Sequence, residues 1–239
     1  MRRHFLGALC ALAAMVPAAR AHDVITTKIT YTREISRIVY KHCASCHHEG
    51  GKTPLSLMTY EEARPWAKAI KEEVLERRMP PWGALKGFGE FKHDNGLTQE
   101  EISIIAAWVE GGAPEGDANL LPSKKPTFEK DPPTRPAGSS ELVLSGPLKL
   151  EAPLKLLAVR PSGLKDGASF QVVAEKPDGT IEPIIWMFKY RKAFARTYYF
   201  ESPVSLPAGT KFAMSPAGAG NLTLYSAAAA PSKAKVKGD

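Results

Sequence analysis

The chain has 239 residues, 44% of them hydrophobic and 24% charged, a composition that excludes fibrous, low-complexity and disordered classes and leaves room for one or two domains of about 100 to 200 residues. Its formal charge of +7 would suit a polyanion if it were evenly spread. It is not: residues 22 to 121 hold 12 basic and 15 acidic side chains, residues 122 to 239 hold 17 and 10, and the basic stretches carry no ordered aromatic stacking platform, which excludes nucleic acid.

Residues 1–21 combine Arg2 and Arg3, an apolar run from Phe5 to Val16, and Ala19-Arg20-Ala21. These are the cationic start, short apolar core and small-x-small cleavage site of a signal peptide. The run of about 12 apolar residues is too short to span a bilayer, and no other segment is long and apolar enough to do so. The expectation is a periplasmic protein without a transmembrane segment. Cleavage removes Cys10 and three arginines, leaving Cys43 and Cys46 and a net charge of +4.

Residues 22–121 read as helical. Thr32 caps a helix whose positions Ile35, Ile38, Val39 and His42 recur at helical spacing and lead into Cys43. Thr59-Tyr60-Glu61-Glu62 is a capping box that opens a second helix, with Trp66, Ile70 and Val74 on one face and Met79-Pro80-Pro81 as its end. A second box, Thr98-Gln99-Glu100-Glu101, opens a third helix with Ile102, Ile105, Ala106 and Val109 on its apolar face, flanked by Trp108, and Gly111-Gly112 stops it. Residues 122–139 carry prolines at 122, 126, 132, 133 and 136 and read as an extended linker.

Residues 140–228 alternate short β-type runs with turn signals: Glu141 to Leu144, Leu154 to Val159, Ser169 to Ala174, Ile181 to Phe188, Arg196 to Phe200, Thr210 to Met214 and Asn221 to Tyr225. Strands at this spacing predict an antiparallel β-sandwich. Residues 229–239 read as a disordered tail. The fold class expected is therefore multidomain, α then all-β.

Cys43-Ala44-Ser45-Cys46-His47 is C-x-x-C-H, the attachment signature of c-type haem. Two thiols at this spacing, at the end of one helix and into the next turn, meet the two vinyl groups of the porphyrin, and the following histidine is held under the iron. A redox pair would need a βαβ context and a zinc site further Cys or His at ligand spacing, and neither is present. His47 should bind iron through Nε2 while Nδ1–H donates to a backbone carbonyl, for which Pro54 is the candidate; the alternative is an ordinary turn proline. The distal ligand must come from His22, His42, His48, His93, Met58, Met79, Met187 or Met214. His48 adjoins the proximal ligand and His42 shares its helix. Met79, fixed by the two prolines after it, is the first choice, with His93 and a core-filling role for Met79 as alternatives. Histidine–methionine ligation fills both axial positions and favours electron transfer over oxygen binding.

These motifs resemble the class I c-type cytochromes, specifically the bacterial group whose distal methionine lies in a Met-Pro-Pro-Trp element, here Met79 to Trp82. The resemblance covers residues 31 to about 122 and includes the Pro54 loop, Thr59-Tyr60-Glu61-Glu62-Ala63 and the final helix with Trp108 and Gly111-Gly112-Ala113-Pro114. It implies a cytochrome c fold, one covalently attached haem c, export of the unfolded apoprotein by the general secretory route, and redox proteins as partners.

Leu157 to Pro161, Pro177-Asp178-Gly179, Tyr199-Phe200 and Leu206 to Thr210 resemble the second domain of copper type II, ascorbate-dependent monooxygenases. That family places a His-x-His copper pair where this chain has Ser162-Gly163-Leu164, and no histidine follows His93. Copper is therefore not expected. The expectation is a monohaem electron carrier, not an enzyme, whose basic sandwich serves docking to an acidic redox partner or assembly. The alternatives are a haem enzyme, a peroxidase or small-molecule oxidoreductase from which the distal ligand is displaced, and a structural electron-transfer subunit of a larger oxidoreductase complex.

Overall fold

The computed structural model describes residues 28–128 and 132–227. The expected signal peptide with Cys10, the candidate ligand His22 and the expected tail at 229–239 lie outside the described residues.

The helical part begins with a π-type segment, Tyr31–Ile35, continued by α1 (Ser36–His42). Its cap is Thr30 and not Thr32. Thr30 is extended, its hydroxyl accepts the Arg33 N–H, and its own N–H donates to the Glu34 carboxylate. Thr32 lies inside the helix and is buried. The Thr59 and Thr98 capping boxes form as the sequence predicts, opening α2 (Tyr60–Ala63) and α4 (Gln99–Glu110). The second helix is broken, because Pro65 lacks an N–H and turns Arg64–Trp66 into a 3-10 segment before α3 (Ala67–Leu75). Trp66 ends the 3-10 segment and is 49% exposed. The core joins Tyr31, Ile35 and Val39 to Val74, Ile102, Ile105 and a fully buried Trp108. Trp108 sits at the centre of this core, and its indole N–H donates to the Pro114 carbonyl at 2.9 Å.

Among the described residues the β part holds eight strands: β1 (Ser139–Leu144), β2 (Leu148–Lys149), β3 (Leu154–Ser162), β4 (Phe170–Glu175), β5 (Ile181–Met187), β6 (Tyr198–Leu206), β7 (Lys211–Ser215) and β8 (Asn221–Ala227). They form two antiparallel four-stranded sheets, β1-β8-β3-β6 and β2-β7-β4-β5, with the apolar core between them. The prolines are placed where a missing donor does least harm: Pro183 in β5 and Pro203 in β6 lie on edge strands, and Pro161 lies beyond the last β3–β6 pair at Val159. The short β2 pairs with β7 through two residues.

A strap from the helical part joins the two. After Met79-Pro80-Pro81, residues 82–92 run along the sandwich. Ala84 bridges Met187 and Phe91 bridges Phe200. Leu85 N–H donates to Trp186 O at 2.8 Å, Phe188 N–H to Gly83 O at 2.9 Å, and Lys92 N–H to Tyr199 O at 2.8 Å. Trp82, Ala84 and Phe91 are buried in the core of the sandwich and not in the helical core. Gly89, at φ +84°, passes so close to β5 that a Cβ there would lie 2.7 Å from the Ile184 carbonyl oxygen.

Candidate haem site

The motif stands where α1 runs out. Cys43 caps the helix, with its N–H on the Val39 carbonyl, and one further turn follows through Cys46 N–H and His47 N–H on the Cys43 carbonyl, at 3.1 and 3.0 Å. This turn puts Cys43, Cys46 and His47 on one wall of a cavity of about 460 Å³. The two cysteines are free thiols. Burial, with Cys46 and Glu101 adding to it, pushes the Cys43 thiol up to about 12, which is opposite to what a thiolate redox centre requires.

His47 Nδ1 lies 3.1 Å from the Leu55 carbonyl and 3.1 Å from the Thr53 hydroxyl. The carbonyl partner is thus Leu55, one residue beyond the expected Pro54. Pro54 is exposed, while Thr53 closes the loop inward: its N–H reaches the Cys46 carbonyl at 3.3 Å and its hydroxyl the Leu55 carbonyl at 3.2 Å. With Nδ1 engaged in this way, Nε2 is the nitrogen left for a metal.

Trp66 at the end of the 3-10 segment, Ile70 and Val74 of α3, and Met79 and Pro80 beyond it line the same cavity. Met79 leaves α3 with its N–H on the Glu73 carbonyl at 3.2 Å, and Arg78 is clamped by Glu73 and Glu72 at 2.9 and 3.1 Å. The cleft therefore brings Met79 together with Cys43, Cys46 and His47. Of the other candidate donors, Met187, Met214, His93 and His48 are placed elsewhere. Met187 and Met214 belong to the sandwich core. His93 lines a neighbouring cavity of about 560 Å³. His48 Nδ1 meets the Ala44 carbonyl at 2.7 Å while its ring stacks on Phe128 at 3.8 Å.

His42 borders the cleft too, locked between helices: Nδ1 is 3.1 Å from the Asn95 carbonyl and Nε2 is 2.9 Å from the Glu101 carboxylate. Burial alone would push the Glu101 carboxyl above its ordinary value. The Thr98 backbone N–H, His42 and Lys41 outweigh it and hold the carboxyl down at about 2.

Two contributors escaped the sequence. Thr53 carried no signal beyond its nearness to the motif. Arg196, in the loop before β6, reaches the cleft from the β part together with Phe194, at a distance along the chain that no local pattern bridges. Its guanidinium carbon lies 5.3 Å from the centre of the Trp82 ring. In the sandwich, Leu164, at the end of the would-be copper pair, is buried in the core, and Gly163 takes φ +68°. Among the described residues no group of three or more His, Cys, Asp or Glu side chains could hold a metal ion.

The apolar cleft, its paired free thiols and a histidine with one nitrogen already fixed suit a flat apolar macrocycle attached at two points. The exposed Trp66 supplies apolar surface for such a group to cover. Among the described residues, no helix is long and apolar enough to cross a membrane. Among the curated proteins no relative of this chain is found. Residues 31–109 match the family model described as cytochrome C oxidase, cbb3-type, subunit III. The match supports a c-type cytochrome domain in this part of the chain, with haem and electron transfer as its chemistry.

Proposed function

We propose that the protein is an exported, periplasmic monohaem c-type cytochrome that passes single electrons between redox proteins and is not itself an enzyme. The observation that carries this reading is the single apolar cleft lined at once by Cys43, Cys46, His47 and Met79. Cys43 and Cys46 would anchor the haem through thioethers, and His47 Nε2 and the Met79 sulfur would be its axial donors. Bound there, haem would supply a one-electron iron couple. Leu55, with Thr53 beside it, orients the His47 ring and raises its basicity as a ligand. The prolines after Met79 and the strap beyond them hold the thioether in place, where it would serve a bound iron as a second donor beside His47. The basic β part, which binds no copper in this reading, offers charge for steering an acidic partner.

The test is optical. In the purified ferric protein, methionine ligation gives a weak long-wavelength charge-transfer band, which Met79→Ala should abolish while covalent haem is retained. Ready binding of carbon monoxide by the reduced wild-type protein would overturn the carrier reading in favour of a haem enzyme. A second reading, an electron-transferring subunit of a larger oxidoreductase, is favoured by the description of the matched family as an oxidase subunit. Co-purification of one stoichiometric partner, lost on deleting residues 138–239, would support it.

A further inference from the structure

We propose that Arg196 is the counter-cation of a haem propionate, so that the β part completes the haem site. The inference rests on the reading of the cleft as a haem site and assigns a residue of the β part to it.

Arg196 lies in the loop between β5 and β6 and lines both the cleft and the neighbouring cavity of about 560 Å³. Its guanidinium is layered on Trp82, the first residue of the strap. Its Nε–H is buried and has no hydrogen-bond partner, the one side-chain nitrogen or oxygen so placed among the described residues. A buried donor on a cation without an acceptor is costly, and folded proteins rarely leave one unsatisfied. Contact with the Trp82 ring compensates the charge through the ring face but provides no acceptor for Nε–H.

Among the described residues, no unengaged carboxylate lines either cavity. The two acidic side chains that line these cavities are already engaged: Asp94 with Lys86 at 2.9 Å and Glu73 with Arg78 at 2.9 Å. A ligand that brings its own acceptor would satisfy the Nε–H. Haem carries two carboxylates on an otherwise apolar ring, and a guanidinium at the wall of an apolar cleft matches that chemistry, because an arginine presents several N–H groups to one carboxylate in a fixed plane. Arg196 would then act on the iron electrostatically. A cation that neutralises a propionate next to the iron disfavours the ferric state, and removing it lowers the reduction potential.

The experiment uses the full-length protein loaded with haem, as wild type, Arg196→Gln, Arg196→Lys and, for a distant exposed lysine on β7, Lys211→Gln. Midpoint potentials are measured by spectroelectrochemistry, with melting curves to confirm folding. The expected result for Arg196→Gln is a shift of about tenfold in the electron-exchange equilibrium toward the ferric state, about 59 mV for one electron. Arg196→Lys should recover most of that shift and Lys211→Gln should show little. Three results overturn the proposal. They are an Arg196→Gln potential equal to that of Lys211→Gln; an equal fall in Arg196→Gln and Arg196→Lys, which marks a role in shape and not in charge; and a wild-type potential that follows the concentration of added phosphate, which marks a mobile anion at Arg196. Absence of covalent haem from the wild type overturns the reading of the cleft itself and is seen directly in the spectrum before any potential is measured.

Discussion

Replacing Tyr198 by phenylalanine removes one hydroxyl at the point where the strap enters the sandwich. Tyr198 begins β6, is 2% exposed, and donates its hydroxyl to the carbonyl of Trp82. Burial pushes that hydroxyl above the ordinary tyrosine range, against the pull of Arg196, so it remains a donor at any working pH. Phenylalanine keeps the edge-on ring contact to Trp82 at 5.0 Å and the tilted one to Phe91 at 5.4 Å. What it takes away is the donor, and the Trp82 carbonyl is left buried without one, a loss of about 1–3 kcal/mol. In a chain of this size each kcal/mol moves the melting temperature by about 2–4 °C, so the holoprotein should melt about 2–12 °C lower. Trp82 is three residues from Met79, so the ferric methionine band should disappear at a correspondingly lower temperature than in wild type. A Tyr198→Phe protein with a wild-type melting curve and a wild-type temperature for loss of the band would refute the idea that the sandwich holds the distal ligand in place.

Glu101→Gln tests the carboxylate that ties α4 to His42. The folded value of about 2 is below the ordinary 4.5, so the stability it contributes is present above pH 4.5 and is lost as the pH falls from there toward 2. After solvent screening this amounts to about 1–2 kcal/mol. Melting temperatures of wild type should therefore fall more steeply than those of Glu101→Gln across that window, and parallel curves would contradict the assignment. Gly51→Ala tests the turn behind the motif, where a Cβ would lie 2.5 Å from the Cys46 carbonyl oxygen and 2.9 Å from that of His48. Crowding against backbone should cost about 1–3 kcal/mol and reduce the yield of covalent haem. Gly146→Ala, with open space around it, should be silent in both assays, and equal behaviour of the two variants would dismiss the close approach.

What was legible in the sequence was local. The capping boxes at Thr59 and Thr98 and the spacing of Cys43, Cys46 and His47 each need only a few adjacent residues, and seven of the eight strands announce themselves by β-branched runs between turns. The errors arise where a neighbour in space decides. Thr30 displaces Thr32 as cap because Glu34 reaches back to its N–H. Leu55 displaces Pro54 because Thr53 turns the loop inward. β6 runs on to Leu206 through Pro203 because it is an edge strand, which a single strand does not reveal. The strap was illegible for the same reason. Gly83, Gly87 and Gly89 make residues 82–92 read as a loop, and the partners Met187 and Phe200 lie about a hundred residues away. Those partners make single bridges and not a ladder with a period to detect.

The strap also makes the helical part dependent on the sandwich, and this can be tested by expressing residues 22–121 alone. Trp82 and Phe91, each 6% exposed in the whole chain, bury their rings against Tyr198 and Phe200. At about 150–250 Å² apiece, losing that cover would forfeit about 8–12 kcal/mol as an upper bound. The proximal wall should survive truncation, since Cys43, Cys46 and His47 are fixed by α1, by Leu55 and by the Tyr31 hydroxyl on the Leu57 carbonyl at 2.9 Å, all within the helical part. Met79 has no such anchor on its C-terminal side once the strap is unpaired. The truncated domain is therefore expected to accept covalent haem, to lose methionine ligation and bind carbon monoxide when reduced, and to self-associate through the uncovered strap. A monomeric fragment with the ferric spectrum of the full chain would mean that the helical part alone positions Met79 and that the pairing with β5 and β6 is incidental to the iron.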